Sequence, residues 1–460
     1  MTSSAPSDGQ DFQRFLQRYS GEHPDDVLTI REPVSAEGDI TAIAAQMADG
    51  GRDPVLVFDN VGTLGVRVAT NVFASRARVA RLLGTDPAGI HRAYQERARG
   101  RFGMREVRAA PVLDTVTQDG IDLSSLPLLR HFASDRAPYI TNAIIVSEHP
   151  DTGIGNLSYH RSMLHSTTEL ATSLHSRGDL WRLLRIAGER GQSMPVAMVI
   201  GAHPLFMLAA SARVPFGVDE REVASGMFGE PLDVVRTPRY GIRVPAAAEI
   251  VLEGVIDPAA HADEGPFGEF TGYSSNRSTN NLLRVETVMR RRSAMLVDVL
   301  GGNSAEHLNL ARIPRESEMA EKLRERFPGV TSLHYPNSGT HFHAYVALRQ
   351  SRPGEARQVM LGLLGWDPYL KTVIAVDPDV DVTRDAEVLW ALATHFQPHR
   401  DLLMVEGLPG SALDPSASGS GTTSRMGLDA TRGPEFDGVR ATLSQAAVDR
   451  AAAILKRNFS

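Results

Sequence analysis

The sequence contains no cysteine and only three lysines, Lys322, Lys371 and Lys456, so 45 of its 48 basic residues are arginines. The absence of cysteine excludes disulfides, thiolate nucleophiles, iron–sulfur clusters and zinc sites built on cysteine. Three lysines leave few candidates for a Schiff-base nucleophile. A GC-rich genome accounts for both counts without any functional cause.

Long apolar runs are also missing. The most apolar stretch, residues 194–210, contains Gly201, His203 and Pro204 and is too short to cross a bilayer. The N-terminus has no basic segment followed by an apolar one, so no signal peptide is predicted. The formal net charge of −7 gives no global attraction for nucleic acid or an anionic membrane. We therefore expect a cytoplasmic protein that binds neither.

The 460 residues are enough for about three domains. Helix and strand signals are mixed in residues 1–110, where residues 53–59 predict a buried strand. From residue 315 to 440 the signals alternate as in layered α/β folds, with a helix predicted over 316–327 and a strand over 372–376. Residues 409–426 are rich in Gly, Ser, Thr and Pro and predict a mobile loop, and residues 441–460 predict a terminal helix and tail. Residues 111–310 are richer in strands. The strands predicted there are Ile140–Val146, Met194–Ile200, Glu249–Ile256 and Ala294–Leu300. One helix is predicted to begin near Asp179 and to carry Leu180, Leu183, Leu184 and Ala187 on one face.

Three short motifs are too incomplete to define a site. Residues 153–155 begin like a dinucleotide-binding loop, but the third glycine is absent. His341 and His343 would share one face of a predicted strand over residues 341–348. They could bind zinc, but no third ligand is nearby, so histidines satisfied within a strand face are favoured. Residues 377–381 resemble the start of a calcium loop that lacks the required glycine and final glutamate, and we reject a calcium site.

Two other segments carry more chemical information. Glu264 and Glu269 flank the sequence Gly-Pro-Phe-Gly, and paired carboxylates can raise one pKa and so supply a general acid near neutral pH. Taken alone, this segment is more typical of a surface turn. In residues 156–161, strand alternation puts Asn156, Ser158 and His160 on one face and Arg161 on the other. A buried arginine there would need an anionic partner.

In this order along the chain, these segments resemble the UbiD family of decarboxylases, which use prenylated FMN. The resemblance extends over nearly the whole chain and is carried by residues 55–62, 156–161, 244–254, 264–273, 371–381, 413–415 and 426–431. It implies an α/β fold in several parts. These are an N-terminal α/β region (1–110), a central split β-barrel that binds the flavin (111–310) and a C-terminal α/β domain (315–440) that forms a homodimer or homohexamer.

The resemblance also implies a metal site. Its ligands would be Asn156, His175 and Glu220, with Glu222 as the alternative to Glu220. An amide oxygen, an imidazole and a carboxylate suit Mn²⁺ or Mg²⁺, and K⁺ is a further candidate ion. The divalent ion would connect the protein to the phosphate of the flavin.

Other cofactor-binding positions follow from the same resemblance. Lys371 matches a lysine that reaches the flavin phosphate, and one divalent ion with one ammonium would roughly neutralise that dianion. Further positions of the cofactor site are Asn156, Ser158, Arg161 and Ser211.

The catalytic residues implied by the resemblance are Arg161, Glu264 and Glu269. Loss of CO2 from an sp2 carbon leaves a carbanion that no side chain can delocalise, so the modified flavin supplies the electron sink. Arg161 would hold the substrate carboxylate and pair with Glu264, and Glu269 would donate the proton. The arginine favours the ionised form of Glu264, whereas burial and that carboxylate raise the pKa of Glu269.

We therefore expect a non-oxidative decarboxylase of an α,β-unsaturated or (hetero)aromatic acid, with a polyketide-type enoic acid favoured and a flavin prenyltransferase as the source of the cofactor. Glu269 stands where the ubiquinone-pathway branch commonly has aspartate, which argues against that role. The alternatives are a hydroxybenzoate-type substrate, a flavin-binding subunit without decarboxylase activity, and a metal-dependent hydrolase that uses Asn156, His175 and Glu220.

Overall fold

The structure is a computed structural model, and it describes residues 7–62, 66–174, 178–417 and 421–458. The N-terminal part packs helices against a small sheet in which β1, β2 and β3 are adjacent and β3 pairs with Leu296–Val297 of the central part. Its elements are α1 (Phe12–Glu22), β1 (Val27–Ile30), α2 (Asp39–Asp49), β2 (Val55–Val61), β3 (Val66–Thr70), α3 (Arg76–Leu82), α4 (Ile90–Arg99) and β4 (Met104–Glu106).

Strand β2 shows why an unbroken apolar run forms a strand here. Val55 and Val57 join one apolar core, and Leu56 and Phe58 join another on the opposite face. A strand that is covered on both faces needs apolar residues at every position rather than alternation. The sequence expectation of a buried strand at residues 53–59 is therefore confirmed, with the strand displaced by two residues toward the C-terminus.

The central part is a curled sheet in the order β6-β9-β10-β17-β14-β11-β7-β8, with β5 beside β17. The split-barrel expectation is confirmed by this sheet. The elements of the central part are β5 (Thr115–Thr117), β6 (Tyr139–Ile140), β7 (Ile144–Glu148), β8 (Gly155–Tyr159), β9 (Ser162–Leu164), β10 (Glu169–Thr172), α5 (Asp179–Glu189), β11 (Met194–Ile200), α6 (Pro204–Ala209), α7 (Glu220–Phe228), β12 (Leu232–Arg236), β13 (Arg243–Pro245), β14 (Ile250–His261), β15 (Phe267–Gly268), β16 (Ser274–Ser275), β17 (Asn281–Arg290) and β18 (Leu296–Val297).

Helix α5 covers one side of this sheet. It begins at Asp179 as predicted, and the four apolar residues that the helical spacing placed on one face, Leu180, Leu183, Leu184 and Ala187, are buried. The amphipathic stripe is packed against the core of the sheet, which is the environment in which most helical stability arises.

The C-terminal part is a layered α/β sheet in the order β19-β20-β21-β23-β22, and β20, β21 and β23 run parallel. Apolar cores lie on both of its faces. The elements are α8 (Ala305–Arg326), β19 (Val330–His334), β20 (His343–Leu348), α9 (Glu355–Trp366), β21 (Thr372–Val376), α10 (Asp385–His395), α11 (Pro398–Asp401), β22 (Leu402–Pro409), β23 (Thr422–Ala430) and α12 (Gln445–Asn458).

Four expectations about secondary structure were wrong in part. The strand predicted at 140–146 is split between β6 and β7, and the one at 294–300 is reduced to β18. The loop predicted at 409–426 is a strand from Thr422 onward, because β23 pairs with both β21 and β22. His341 lies before β20, so it does not share a strand face with His343. These differences arise from strand pairing over long separations, which local composition does not encode.

Within the described parts of the chain, no helix has both the length and the apolar character needed to cross a bilayer.

Candidate active site

One polar cluster forms where β8 meets the N-terminus of α7. The Asn156 amide Nδ2 donates to Glu220 Oε1 over 3.1 Å, and the backbone N–H of Leu157 donates to Glu220 Oε2 over 2.9 Å. The Ser158 hydroxyl donates to Asn156 Oδ1 over 3.1 Å and lies 2.8 Å from His160 Nε2. The predicted face of Asn156, Ser158 and His160 is therefore confirmed as one connected row.

Glu220 is a buried carboxylate. Within the described residues, the main groups that shift its pKa are backbone N–H groups and carboxylates, and none is a cation. Burial raises this pKa to about 7 despite the hydrogen bond from Leu157, and the neighbouring carboxylates of Asp219 and Asp179 raise it further. Glu222 points elsewhere, with Oε2 accepting from the N–H of Gly103. The geometry therefore brings Glu220, and not Glu222, to Asn156.

A second cluster is built on Arg161, which follows the end of β8. The guanidinium donates to both oxygens of Glu264, with Nε to Oε1 and Nη2 to Oε2 at 3.0 Å each. Its Nη1 donates to Glu269, and its Nη2 also donates to the carbonyl of Arg277 over 2.7 Å. The sequence expectation that a buried arginine here has an anionic partner is confirmed, and it has two.

The loop that carries both glutamates is held by the segment before β6. The backbone N–H of Gly268 donates to Asp135 Oδ1 over 2.9 Å, and the N–H of Arg136 donates to the carbonyl of Pro266 over 3.1 Å. The Phe267 ring lies 4.9 Å from the Arg161 guanidinium carbon. A segment that looked like a surface turn in isolation is thus buried against the sheet.

Burial dominates the electrostatics of this second cluster. It raises the pKa of Glu269 above its ordinary value, the nearby Glu264 charge adds to the rise, and Arg161 only partly offsets it. The two carboxylates hold the Arg161 pKa above its ordinary value despite burial, so the guanidinium stays charged. A protonated Glu269 beside a charged Arg161 can donate a proton to a bound anion.

The other predicted site residues are spread more widely. Lys371 precedes β21, where its Nζ lies 2.7 Å from Asp414 Oδ2 and 2.7 Å from the Ser416 hydroxyl. Ser211 follows α6, and its backbone N–H donates to the carbonyl of Leu208. His175 lies outside the described residues.

The chain matches the models of three protein-family domains in consecutive segments. The N-terminal, Rift-related central and C-terminal domains of 3-octaprenyl-4-hydroxybenzoate carboxy-lyase match residues 21–98, 105–304 and 308–430. These three matches cover most of the sequence, in the family's own order. The chain belongs to the UbiD family. As such it is a carboxy-lyase, and the expected family and enzyme class are confirmed.

The chain is similar to several UbiD proteins, and the substrates stated in the names of two of them differ. The chain is 32% identical over 406 residues to the anhydromevalonate phosphate decarboxylase of Methanosarcina mazei, covering 88% of this chain and 93% of the relative. It is similar to the UbiD-class enzyme HmfF from Pelotomaculum thermopropionicum in complex with FMN, with a TM-score of 0.90, 31% identity and coverage of 95% and 98% of the two chains. It is also similar to the vanillic acid decarboxylase of Sedimentibacter hydroxybenzoicus in open form, with a TM-score of 0.84, 27% identity and coverage of 97% and 99%.

The donor set at Asn156 and Glu220 fits the divalent ion that the UbiD resemblance implies. Burial and the neighbouring carboxylates of Asp219 and Asp179 raise the pKa of this carboxyl, and a bound cation would favour its ionised form. Oxygen donors without thiolate are those that Mg²⁺ and Mn²⁺ prefer. Among the described His, Asp and Glu residues, no group of three has the spacing of metal ligands. Of the three predicted ligands, only Glu220 belongs to this set, because Asn156 carries an amide and His175 lies outside the described residues.

Sequence reasoning missed one residue of the UbiD site that contacts a catalytic candidate. The Tyr139 hydroxyl donates to Glu264 Oε1 over 2.9 Å, and its ring lies 4.6 Å from that of Phe267. Tyr139 stands 125 residues before Glu264, so no local spacing could connect the two. The only signal in the sequence was the β-branched and aromatic run that begins at residue 139.

Proposed function

We propose that this protein decarboxylates an α,β-unsaturated carboxylic acid with prenylated FMN and a divalent ion, as a homo-oligomer supplied with cofactor by a flavin prenyltransferase. The observation that carries the proposal is the half-buried Arg161, shared by Glu264 and Glu269. Relatives that are about one third identical carry the name anhydromevalonate phosphate decarboxylase, which favours a non-aromatic acid. One structural neighbour is an evolved dimeric form of the UbiD-class enzyme HmfF in complex with prenylated FMN, which supports both the cofactor and an oligomer.

Arg161 has one N–H available for the substrate carboxylate. A guanidinium has five N–H donors, and in the described structure four of them donate to Glu264, Glu269 and the Arg277 carbonyl. A substrate carboxylate that takes two hydrogen bonds would therefore displace one present acceptor, either Glu269 at Nη1 or the Arg277 carbonyl at Nη2. Displacement of Glu269 would remove the cation that lowers its pKa and so favour the protonated form of the donor.

The cofactor would supply the electron sink that the side chains lack. Asn156 and Glu220 would hold the divalent ion, and Lys371 would reach the phosphate from the C-terminal part. The residues of this chain then have three tasks. Arg161 orients the carboxylate, Glu264 keeps the guanidinium in place, and Glu269 holds the proton that replaces CO2.

Aromatic acids are the second candidate class of substrate. Vanillic acid decarboxylase is similar over nearly its whole length, at 27% identity. Because this identity is lower than the 32% to an anhydromevalonate phosphate decarboxylase, we rank aromatic acids below unsaturated acids as substrates.

The test is CO2 release by the full chain reconstituted with prenylated FMN and Mn²⁺. The panel contains unsaturated acids with and without a phosphate, hydroxybenzoates and furan acids. Glu269→Gln is expected to keep the flavin absorption spectrum and to lose turnover by about 10²–10⁴-fold, the usual contribution of a positioned acid. Glu253→Gln is the matched control, because Glu253 is a buried carboxylate that accepts backbone N–H groups of Arg239 and Tyr240. A fully active Glu269→Gln variant would overturn the assignment of the donor.

A further inference from the structure

Tyr139 is the buried neutral donor of the Arg161 cluster. It lies on β6, which pairs with β9 just after Arg161, and its side chain is 1% exposed. Burial and the adjacent Glu264 raise its pKa above the ordinary tyrosine value. The phenol therefore stays protonated over the whole working range and acts as a donor to Glu264.

The two carboxyls of the cluster receive unequal numbers of hydrogen bonds. Glu264 accepts two from Arg161 at 3.0 Å and one from Tyr139 at 2.9 Å. The side chain of Glu269 accepts from Arg161 Nη1 alone, within the described residues. Hydrogen bonds donated to a carboxylate favour its ionised form. A proton shared by the pair is consequently directed to Glu269.

We propose that Tyr139 is a positioning residue that determines which carboxyl carries the proton: its hydroxyl keeps Glu264 ionised and leaves Glu269 as the donor. The inference rests on the proposed function, because the location of the proton matters only where Glu269 acts as an acid. Tyr139 would act through Glu264 and not on the substrate. Its contact with the Pro266 carbonyl, at 3.4 Å, is too long to replace the shorter bond.

The other titratable groups that face the pair do not offer an equivalent donor. Asp135 lies beside Tyr139 and accepts the backbone N–H groups of Phe132 and Gly268. His307 of α8 is buried, which lowers its pKa, and its Nδ1 is bonded to the Gly302 carbonyl.

The test is the pH dependence of kcat in the loaded Tyr139→Phe enzyme. Loss of a hydrogen bond to a charged group makes protonation of Glu264 about ten- to a hundredfold easier. The acid limb of the profile should therefore move up by about one to two pH units, while the rate above that limb stays at the wild-type level. Tyr94→Phe is the control, because Tyr94 is a buried tyrosine whose hydroxyl has no partner in the described structure.

A rate reduced by the same factor at every pH, or an acid limb that does not move, would overturn the proposal. If Tyr139→Phe does not fold, 3-fluorotyrosine at position 139 keeps the hydroxyl and strengthens it as a donor. The acid limb should then move to lower pH, and an unchanged or opposite shift would contradict the proposal.

A readout without turnover separates this inference from the proposed function. The infrared band of the protonated carboxyl, assigned with Glu264→Gln and Glu269→Gln, should belong to Glu269 in the wild-type protein. In Tyr139→Phe, a second band that belongs to Glu264 should appear at pH values on the shifted acid limb, where the wild type shows only the Glu269 band. If the wild type releases no CO2 from any acid, the proposed function fails, whereas this spectrum still tests Tyr139. A band that stays entirely on Glu269 in the variant would refute the inference.

Discussion

The two carboxylate clusters of the central sheet differ in the source of their positive charge. Glu264 and Glu269 surround Arg161, a cation supplied by the chain itself. Glu220 is also buried, but its hydrogen bonds come from neutral groups, which are the amide of Asn156, the N–H of Leu157 and its own backbone N–H. A buried carboxylate is costly without a compensating charge. The first cluster is therefore neutralised by the chain itself, whereas the second is the one that the proposed divalent ion would complete.

The largest effect is expected where the internal cation is removed. Arg161→Ala leaves two buried carboxylates unpaired, a change that typically costs about 3–5 kcal/mol of stability, and it also removes the anchor for the substrate carboxylate. We expect kcat/KM to fall by about 10³-fold or more, since a lost charge-assisted contact and a misplaced proton donor act together. The measurements are CO2 release and the free energy of unfolding.

Arg291→Ala is the matched control for that loss. Arg291 also connects two carboxylates, Asp11 at 3.0 Å and Glu249 at 2.9 Å, but it lies outside the candidate site. It should lower stability and leave kcat nearly unchanged in the folded fraction. Equal losses of kcat in the two variants would contradict a specific role of Arg161.

Removing the proposed external cation is expected to have the next largest effect. Mn²⁺ at 100 times its Kd should stabilise the wild-type protein by about 2.7 kcal/mol, and EDTA should reverse this. In Glu220→Gln, Mn²⁺ affinity should fall by about a hundredfold, because the charged ligand is lost. Glu222→Gln is the control, since its carboxylate meets Gly103 instead. A Glu222→Gln protein that loses the Mn²⁺ effect would reverse the assignment of the ligand.

The pH profile separates the two members of the Arg161 cluster. Burial raises the pKa of Glu269, and the donor is active only while protonated. The rate should therefore be retained up to this raised pKa and then fall about tenfold per pH unit on the alkaline side. The alkaline limb should disappear in Glu269→Gln. A rate that rises with pH through the raised pKa of Glu269, above the acid limb, would show that Glu269 acts as a base.

The smallest effect is expected at Lys371, which already has a partner. Its ammonium pairs with Asp414 at 2.7 Å. The binding free energy gained from a contact with the phosphate would therefore be partly offset by the loss of that ion pair. Lys371→Ala should weaken binding of prenylated FMN about tenfold, which is about 1.4 kcal/mol. Lys322→Ala removes another lysine, paired with Glu318 on the surface of α8, and should leave cofactor binding unchanged. Equal affinities in both variants would remove Lys371 from the cofactor site.

Much of the fold could be predicted where structure is determined over short separations. Helix α5 and strands β11 and β21 lie where apolar spacing placed them, because each element buries a face that its own sequence encodes. Helix α8 shows the limit of this reasoning. The helix was expected from Glu316, after the proline at 314, but it begins at Ala305 and continues through Pro314. Packing of α8 against its neighbours outweighs a residue that favours an end to the helix.

The sequence by itself determined the composition of the candidate site. The order of its motifs resembled one family, and that resemblance implied the ion ligands at 156, 175 and 220 and the catalytic set at 161, 264 and 269. The chemistry of the side chains alone indicated only a pair of carboxyls at 264 and 269 and an arginine at 161 that needs an anionic partner.

Only the tertiary structure decided how these groups are paired. It brought Glu220 instead of Glu222 to Asn156, placed Glu269 beside Glu264 as a second partner of Arg161, and added Tyr139 from 125 residues away. Burial then raised the pKa of Glu269 above its ordinary value. Contacts between distant strands and removal of water are properties of the assembled sheet, and neither can be predicted from the spacing of neighbouring residues.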